Sequence, residues 1–409
     1  MKTVPIRHVA DVWTSSVDKH AIEGELPVQL CNYTDAYKKD RVRPGPDLMR
    51  ATATAEEIRK NRLQVGDSVF TKDSEDPKDI GVSAFVDGEA DDFVCGYHLA
   101  IARPFSVTHG RFLNWALRSR PVLEHFSNHA AGISRYGIGL SGLRSAPIPL
   151  VTQNEQRRIA DFLDDRVSRI DRIIAARREQ MELAVEEAAA SLDDLVGQSP
   201  AQSRRPLQAL TNPARPIQYG IVLPGPHYPG GVPIIKGGDI GSGRLARLEL
   251  NQTDPKIEAA YARSRVQPGD FVIAIRGSVG EVASVPKELR QANLTQDSAR
   301  IATWNCDRDW LRAALEAPSV QSEIAQRVTG ATIRGINIGD LRRVPLPVPS
   351  GAEQRRIGQA ARTVKERSKG HQSALRQSLV LLTEYKSSLI TAAVTGELDV
   401  STAGSSIPG

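Results

Sequence analysis

Cysteine is scarce in this chain. Cys31, Cys95 and Cys306 are the only three among 409 residues, odd in number and far apart. They exclude a disulfide framework, supply no paired zinc ligands and suit a reducing cytoplasm, the expected location. Long apolar runs are missing as well. No stretch approaches the roughly 18 residues of a membrane span, so no membrane association is expected. The opening Met1-Lys2-Thr3-Val4-Pro5 lacks the apolar core of a secretory signal.

Catalytic signatures are also lacking. A nuclease needs clustered carboxylates and a lysine around a metal. Glu384-Tyr385-Lys386 has the Glu-x-Lys form but falls within a heptad-patterned helix. An adenine methyltransferase needs Asn/Asp-Pro-Pro-aromatic, and Asn212-Pro213-Ala214-Arg215 fails at its third position. Gly237-Gly238-Asp239-Ile240-Gly241-Ser242-Gly243 fits neither a dinucleotide nor a phosphate loop, and reads as a turn or a DNA-facing loop. No Gly-x-Ser-x-Gly elbow occurs. His98, His109, His125 and His129 are close in sequence, but no glutamate follows His125 and the pair at 125 and 129 lies near a helix end. No catalytic residue and no metal site is therefore expected.

What the chain does have is an internal repeat. Gly142-Leu143-Arg144-Ser145-Ala146-Pro147-Ile148-Pro149-Leu150 leads to Glu155-Gln156-Arg157-Arg158-Ile159. Asp340-Leu341-Arg342-Arg343-Val344-Pro345-Leu346-Pro347-Val348 leads to Glu353-Gln354-Arg355-Arg356-Ile357. A constant offset of 198 residues relates them, and also pairs Gly132 with Gly330, Gly137 with Gly335 and Ile138 with Ile336. Such self-similarity marks a duplication. Each copy is a short strand ending in Pro-x-Pro, which cannot be helical. Thr152 or Ser350 then stands three residues before a glutamate, the spacing of a capping box.

A long helical pattern follows each copy. Leu163, Val167, Ile170, Ile174, Met181, Ala184, Ala188 and Leu195 recur at three- and four-residue steps, as do Leu375, Leu379, Leu382, Leu389 and Ala393. This heptad spacing, interrupted by Arg177 and Lys386, predicts two long helices packed on each other. Val167, Ile174 and Met181 are expected to face Leu375, Leu382 and Leu389. The fold class is thus α+β: two similar globular domains separated by two antiparallel, coiled-coil-like helices, with an internal pseudo-twofold repeat. The expected segments are 1–151 and 199–350 for the domains, 152–198 and 351–395 for the helices, and 396–409 for a tail.

Charge is uneven along these segments. Residues 1–151 are neutral, 152–198 carry −4, 199–350 carry +6 and the remainder +3, giving the net +5. The third segment suits a nucleic-acid partner. In the first domain Leu26–Leu30 reads as a strand, Asn32–Arg41 as a donor-rich loop, Leu63–Phe70 as a turn entering a strand, Phe93–Ile101 as another strand and Arg111–Phe126 as a helix. Val232–Lys236, Val266–Val272 and Asp309–Arg327 repeat that plan. The ends of the repeats match and their middles differ, which suggests two sites that bind different things. The segment Arg7–Ala21 matches Pro206–Tyr219 only loosely.

Pro-x-Pro followed by Glu-Gln-x-x-Ile and a long helix, twice per chain, resembles the specificity subunit of type I restriction-modification enzymes. Tyr219-Gly220-Ile221-Val222-Leu223-Pro224-Gly225 is similar to the opening of many target-recognition domains, and Thr395-Gly396-Glu397-Leu398-Asp399 to the family's usual ending. The resemblance implies two target-recognition domains, each reading one half of a split duplex DNA target. It implies helices that dock two methyltransferase subunits, joined by translocase-nuclease subunits. No cofactor is implied for this subunit, since S-adenosylmethionine, ATP and Mg would serve the partners. The alternative is a coiled-coil scaffold for other proteins without DNA specificity.

Base edges are read by forked or amide side chains, and phosphates are held by cations and hydroxyls. The candidate DNA contacts in the first domain are Tyr33, Lys38, Lys39, Arg41, Lys72, Ser134, Arg135 and Tyr136, with Arg43 beside them. In the second they are Lys236, Arg244, Arg276, Thr332, Arg334 and Asn337, with Arg247, Arg263 and Arg265 nearby. Ser134-Arg135-Tyr136 and Thr332-Ile333-Arg334 occupy equivalent loops before each Pro-x-Pro strand.

Overall fold

The computed structural model describes residues 2–197, 203–330 and 334–402. It divides into two compact units, one comprising 1–177 with 377–409 and the other 178–376. Each unit holds one globular domain, part of the helix Gln153–Gly197 and part of the helix Gly351–Thr395.

In the first unit a five-stranded sheet runs in the order Ala10–Thr14, Leu99–Pro104, Ser68–Thr71, Ser83–Val86 and Arg41–Val42. A second sheet sets Leu26–Cys31 between antiparallel Met49–Ala53 and parallel Phe93–Cys95. In the second unit the counterpart sheets are Gln218–Tyr219, Ser298–Ile301, Phe271–Ala274 and Val282–Ser284, and Asn251–Thr253, Val232–Ile235 and Asn293–Leu294. Asn293–Leu294 again runs parallel to its neighbour. The N-terminal segments are equivalent in structure, but in a register that matches Ile6 with Leu207 rather than Arg7 with Pro206. Thr3–Pro5 pairs with the strand Pro147–Pro149, and Ser203–Pro206 with Pro345–Val348. The next amide, Ile6 or Leu207, then donates to Ala146 or Val344 at 2.8 Å in each unit.

The repeated Glu-Gln-Arg-Arg-Ile has a packing explanation. Gln156 Oε1 accepts from the His109 amide at 2.7 Å, and its Nε2 donates to the Val151 carbonyl at 3.0 Å. Gln354 does the same to Asp307 at 2.8 Å and Pro349 at 2.9 Å. Each glutamine, buried, ties the start of a domain helix to the start of a long helix. Ile159 and Ile357 lie in the cores beside them. The hydroxyls of Thr152 and Ser350 accept from the amides of Glu155 and Glu353 at the expected spacing.

The long helices pack together. In the first unit Val167, Ile170 and Ile174 share a core with Leu389, Ile390, Ala393 and Val394, and Leu382 packs against it. Lys386, an interruption of the stripe, reaches Asp171 at 2.6 Å. In the second unit Leu375 is buried, Met181 is half-buried and Ser368 Oγ donates to the Ala184 carbonyl at 3.3 Å. The early part of one helix thus lies against the late part of the other, so they run antiparallel.

Four local expectations are corrected. Asn32–Arg41 is a capped helix, Tyr33–Lys38, because the Asn32 side chain and Asp35 form a reciprocal cap. Gly237–Gly243 is its counterpart: a short helix Gly237–Gly241 in which Asp239 accepts from the Lys236 amide at 2.9 Å, ended by Gly243 at φ +74°. Phe93–Ile101 is two strands, broken at Gly96-Tyr97-His98. Each long domain helix is two, Gly110–Leu117 with Arg120–His129 and Arg308–Glu316 with Pro318–Ala325. The break precedes Pro121 or falls at Pro318, since proline starts a helix well and continues one badly.

Candidate nucleic-acid interface

Both domains bring the same three segments together. In the first, the Lys72 amide donates to the His98 carbonyl at 3.2 Å, and the Ile138 amide to the Lys72 carbonyl at 2.9 Å. In the second, the Ile275 amide donates to the Asp297 carbonyl and the Ile336 amide to the Ile275 carbonyl, both at 2.9 Å. The backbone frame is common and the side chains on it are not. Position by position, Asp73 corresponds to Arg276, Tyr97-His98 to Gln296-Asp297 and Tyr136 to Arg334, an alignment given by the strand registers and by the bridges of Gly137 to Asp73 and of Gly335 to Arg276.

In the first domain the frame carries a linked polar cluster. Asp73 is buried; His98 Nδ1 lies 2.9 Å from one of its oxygens and Arg135 Nε 3.1 Å from the other. Burial alone would raise the Asp73 pKa, but the hydrogen bonds from His98 and Arg135 prevail and hold it below the usual carboxylate range. The same carboxylate raises the Arg135 pKa. Lys72 Nζ sits 4.6 Å from the centre of the Tyr97 ring and 3.6 Å from Asp73. Tyr97 meets His98 edge-on at 4.4 Å, and Tyr33 stacks on Tyr37 at 5.5 Å. The result is an exposed tyrosine and a set of donors held by one buried acid.

The second domain has a more open arrangement. Arg276 and Arg334 are exposed and adjacent through backbone, the Gly277 amide donating to the Arg334 carbonyl at 3.3 Å. Lys236 joins them through Gly237, where a Cβ would come 2.9 Å from the Asp297 carbonyl oxygen and 3.2 Å from that of Arg276. Glycine is required for that close approach. Gly220 is required likewise: a Cβ there would meet the Leu294 carbonyl oxygen at 1.9 Å. The segment it opens leaves Leu223 80% exposed.

The other expected contacts are more dispersed. Ser134 is exposed on the loop before Arg135, and Tyr136 is half-buried in a strand paired with Ser74. Lys38 is exposed at its helix end, and Lys39 pairs with Asp35 at 3.0 Å. Arg41 binds Asp164 of the long helix at 3.0 Å, and Arg43 binds Asp87 at 2.7 Å. Arg244 lies 3.8 Å from Asp239; Arg247 pairs with Glu249 and Arg265 with Glu258. Arg263 is exposed. Asn337 caps the helix Ile338–Arg342, accepting from the Asp340 amide at 2.9 Å. Thr332 lies outside the described residues. Sequence reasoning missed Asp73, Tyr97, His98 and Asp297. Gly96 inside an apparent strand was the available signal, because glycine there marks a break.

Among the described residues no group of His, Cys, Asp and Glu is arranged to hold a metal, and no helix is long and apolar enough to cross a membrane. Burial pushes the Cys31 and Cys95 thiols far up and Cys306 up to about 11, so none is a ready nucleophile.

No family model matches the chain. It is 25% identical to the type I restriction enzyme EcoBI specificity subunit of Escherichia coli over 194 residues, which are 47% of this chain and 41% of that one. The match therefore spans less than half of that relative. Solved structures match the chain nearly end to end. One is a chain from a study of complex assembly and conformational transition in the type I R-M system, at 17% identity and TM-score 0.72, covering 97% of this chain and 98% of that one. Another is the HsdS subunit from Thermoanaerobacter tengcongensis, at 17% identity and TM-score 0.54, covering 97% of both chains. The resemblance carried by the duplicated motif is thus met twice over: part of the sequence is similar to a type I specificity subunit, and the fold is the fold of one.

Proposed function

We propose that the chain is the cytoplasmic, non-catalytic, sequence-reading subunit of a type I restriction-modification enzyme. Each globular domain reads one half of a split duplex DNA target. The paired helices carry two methyltransferase subunits, which place adenine methyl groups, and translocase-nuclease subunits complete restriction. S-adenosylmethionine, ATP and Mg serve those partners.

The observation that supports this best is the shared backbone frame with exchanged side chains. One frame presenting Lys72, Tyr97, His98 and Arg135, and again Lys236, Arg276 and Arg334, suits two readers of different sequences. Arginine forks and a histidine match base edges, and lysine matches phosphate. The test is methylation mapping in a host carrying the chain with its cognate methyltransferase, beside a bandshift on random duplex. One split methylated motif is expected. Methylation or binding without sequence preference would favour the scaffold alternative and overturn the reading.

A further inference from the structure

Each domain rests on its long helix beside a groove in the same place, and the 198-residue offset relates most of the helix residues that line the two grooves. At four aligned positions the charge is reversed. On the domain side Arg111 and Arg118 become Asp309 and Glu316; on the helix side Asp164 and Asp171 become Arg362 and Lys369. At these four positions the first domain presents cations to carboxylates and the second presents carboxylates to cations, although Arg312 and Glu366, which also line the second groove, carry the opposite signs.

Of these, Arg111 meets Asp164 and Asp309 meets Arg362, whereas Arg118 turns to Asp40 and Asp171 to Lys386. Arg111 Nη1 lies 2.8 Å from Asp164, and its Nη2 lies 2.7 Å from Asp161. Asp164 also accepts from Trp115 Nε1 at 2.8 Å and from Arg41 at 3.0 Å. In the other groove Arg362 pairs with Asp309, the aligned pair with its polarity inverted, and Lys365 pairs with Glu316. The Arg111 and Asp164 side chains are 30% and 21% exposed, shielded enough for a like-charge encounter to matter. Around the groove the clamp itself is unchanged: Gln156 and Gln354, Ile159 and Ile357 are identical. The glutamine and isoleucine of the clamp are conserved between the repeats, while the groove beside them differs in charge and also in side-chain size, Trp115 and Val167 being replaced by Ala313 and Lys365.

We infer that this inverted polarity is a key, so that each domain accepts its own helix and rejects that of the other repeat. A mismatched joint sets Asp309 against Asp164 and Glu316 beside Asp171, or Arg111 against Arg362. The identical clamp would allow the mismatch; the charges oppose it. Target-reading domains of this chain are therefore tied to their places, whatever DNA they read.

The test uses two full-length chimeras in which residues 2–149 are replaced by 203–347, one retaining Asp164 and the other carrying Asp164→Arg. In the parent chain Asp164→Arg should lower the melting temperature by roughly 2–6 °C. In the chimera the same substitution should raise it by a similar amount, because the introduced guanidinium then meets Asp309 as that of Arg362 does. That reversal of sign supports the key, since a general effect of arginine has one sign in both backgrounds. Equal melting of the two chimeras, or a drop on Asp164→Arg in the chimera, would overturn it. If the Asp164 chimera fails to fold, Asp164→Arg with Asp171→Lys must restore soluble, cooperatively melting protein; failure to restore it also overturns the proposal.

Discussion

Gln156 and Gln354 recur because each satisfies a domain-helix amide and a carbonyl just before the long helix with one side chain. Gln354→Ala should leave the Asp307 amide and the Pro349 carbonyl without that partner, costing about 1–3 kcal/mol by chemical denaturation. Gln156→Ala should cost a similar amount. Glu258 makes a pH-dependent contribution. The Arg265 fork holds its carboxyl below the usual range against burial, and the Asn293 amide adds to this. A depressed folded pKa means stability that is present above the unfolded value of 4.5 and lost as pH falls below it. Glu258→Gln should therefore lower the melting temperature at neutral pH and flatten its decline on acidification below about pH 5. At the proposed reading sites, Arg334→Ala separates two roles. Loss of a base contact should relax one position of the target at roughly 1–3 kcal/mol, whereas loss of a phosphate contact should weaken all sites alike and lower the salt dependence.

Among the elements, the long helices explain their own length. Each runs for 45 residues and is held by an apolar stripe against the other, since packing of such a face supplies most of a helix's stability in a protein. Leu389 is 9% exposed in the core of the first unit. Leu389→Ala should cost about 2–4 kcal/mol by loss of burial and the cavity left behind. An unchanged denaturation midpoint would count against the pairing. The paired short helices of each domain show the opposite control. The apolar face runs across the break, with Trp115 on one side and Phe126 on the other, so hydrophobic pattern alone suggests one helix. Ser119 and Ala317, extended in backbone, make it two.

At the scale of the whole molecule, the proposed function predicts that the two repeats act as modules. Exchange of residues 207–349 for the equivalent segment of a relative should change one half of the methylated motif and leave the other intact. A simultaneous change in both halves would refute independent readers. The polarity of the helix grooves sets a condition on such exchanges: a donor segment must match the charges of the helix that receives it.

The sequence alone determined the duplication, the Pro-x-Pro strands, the long helices and their heptad stripes. These are local or periodic, and Leu163, Val167, Ile170 and Ile174 announce a buried face by spacing alone. Glu-Gln-Arg-Arg-Ile was visible as a repeat, yet its meaning was not, because the groups that Gln156 joins include His109, 47 residues away. Only the tertiary structure decided which polar residues work together. Asp73 reaches His98 and Arg135 across 25 and 62 residues, while Arg41, so close to Lys38 and Lys39 in sequence, is drawn off to Asp164 across 123. A charge's role depends on its partner, and hydrogen bonds and ion pairs act over a few ångströms of space rather than along the chain.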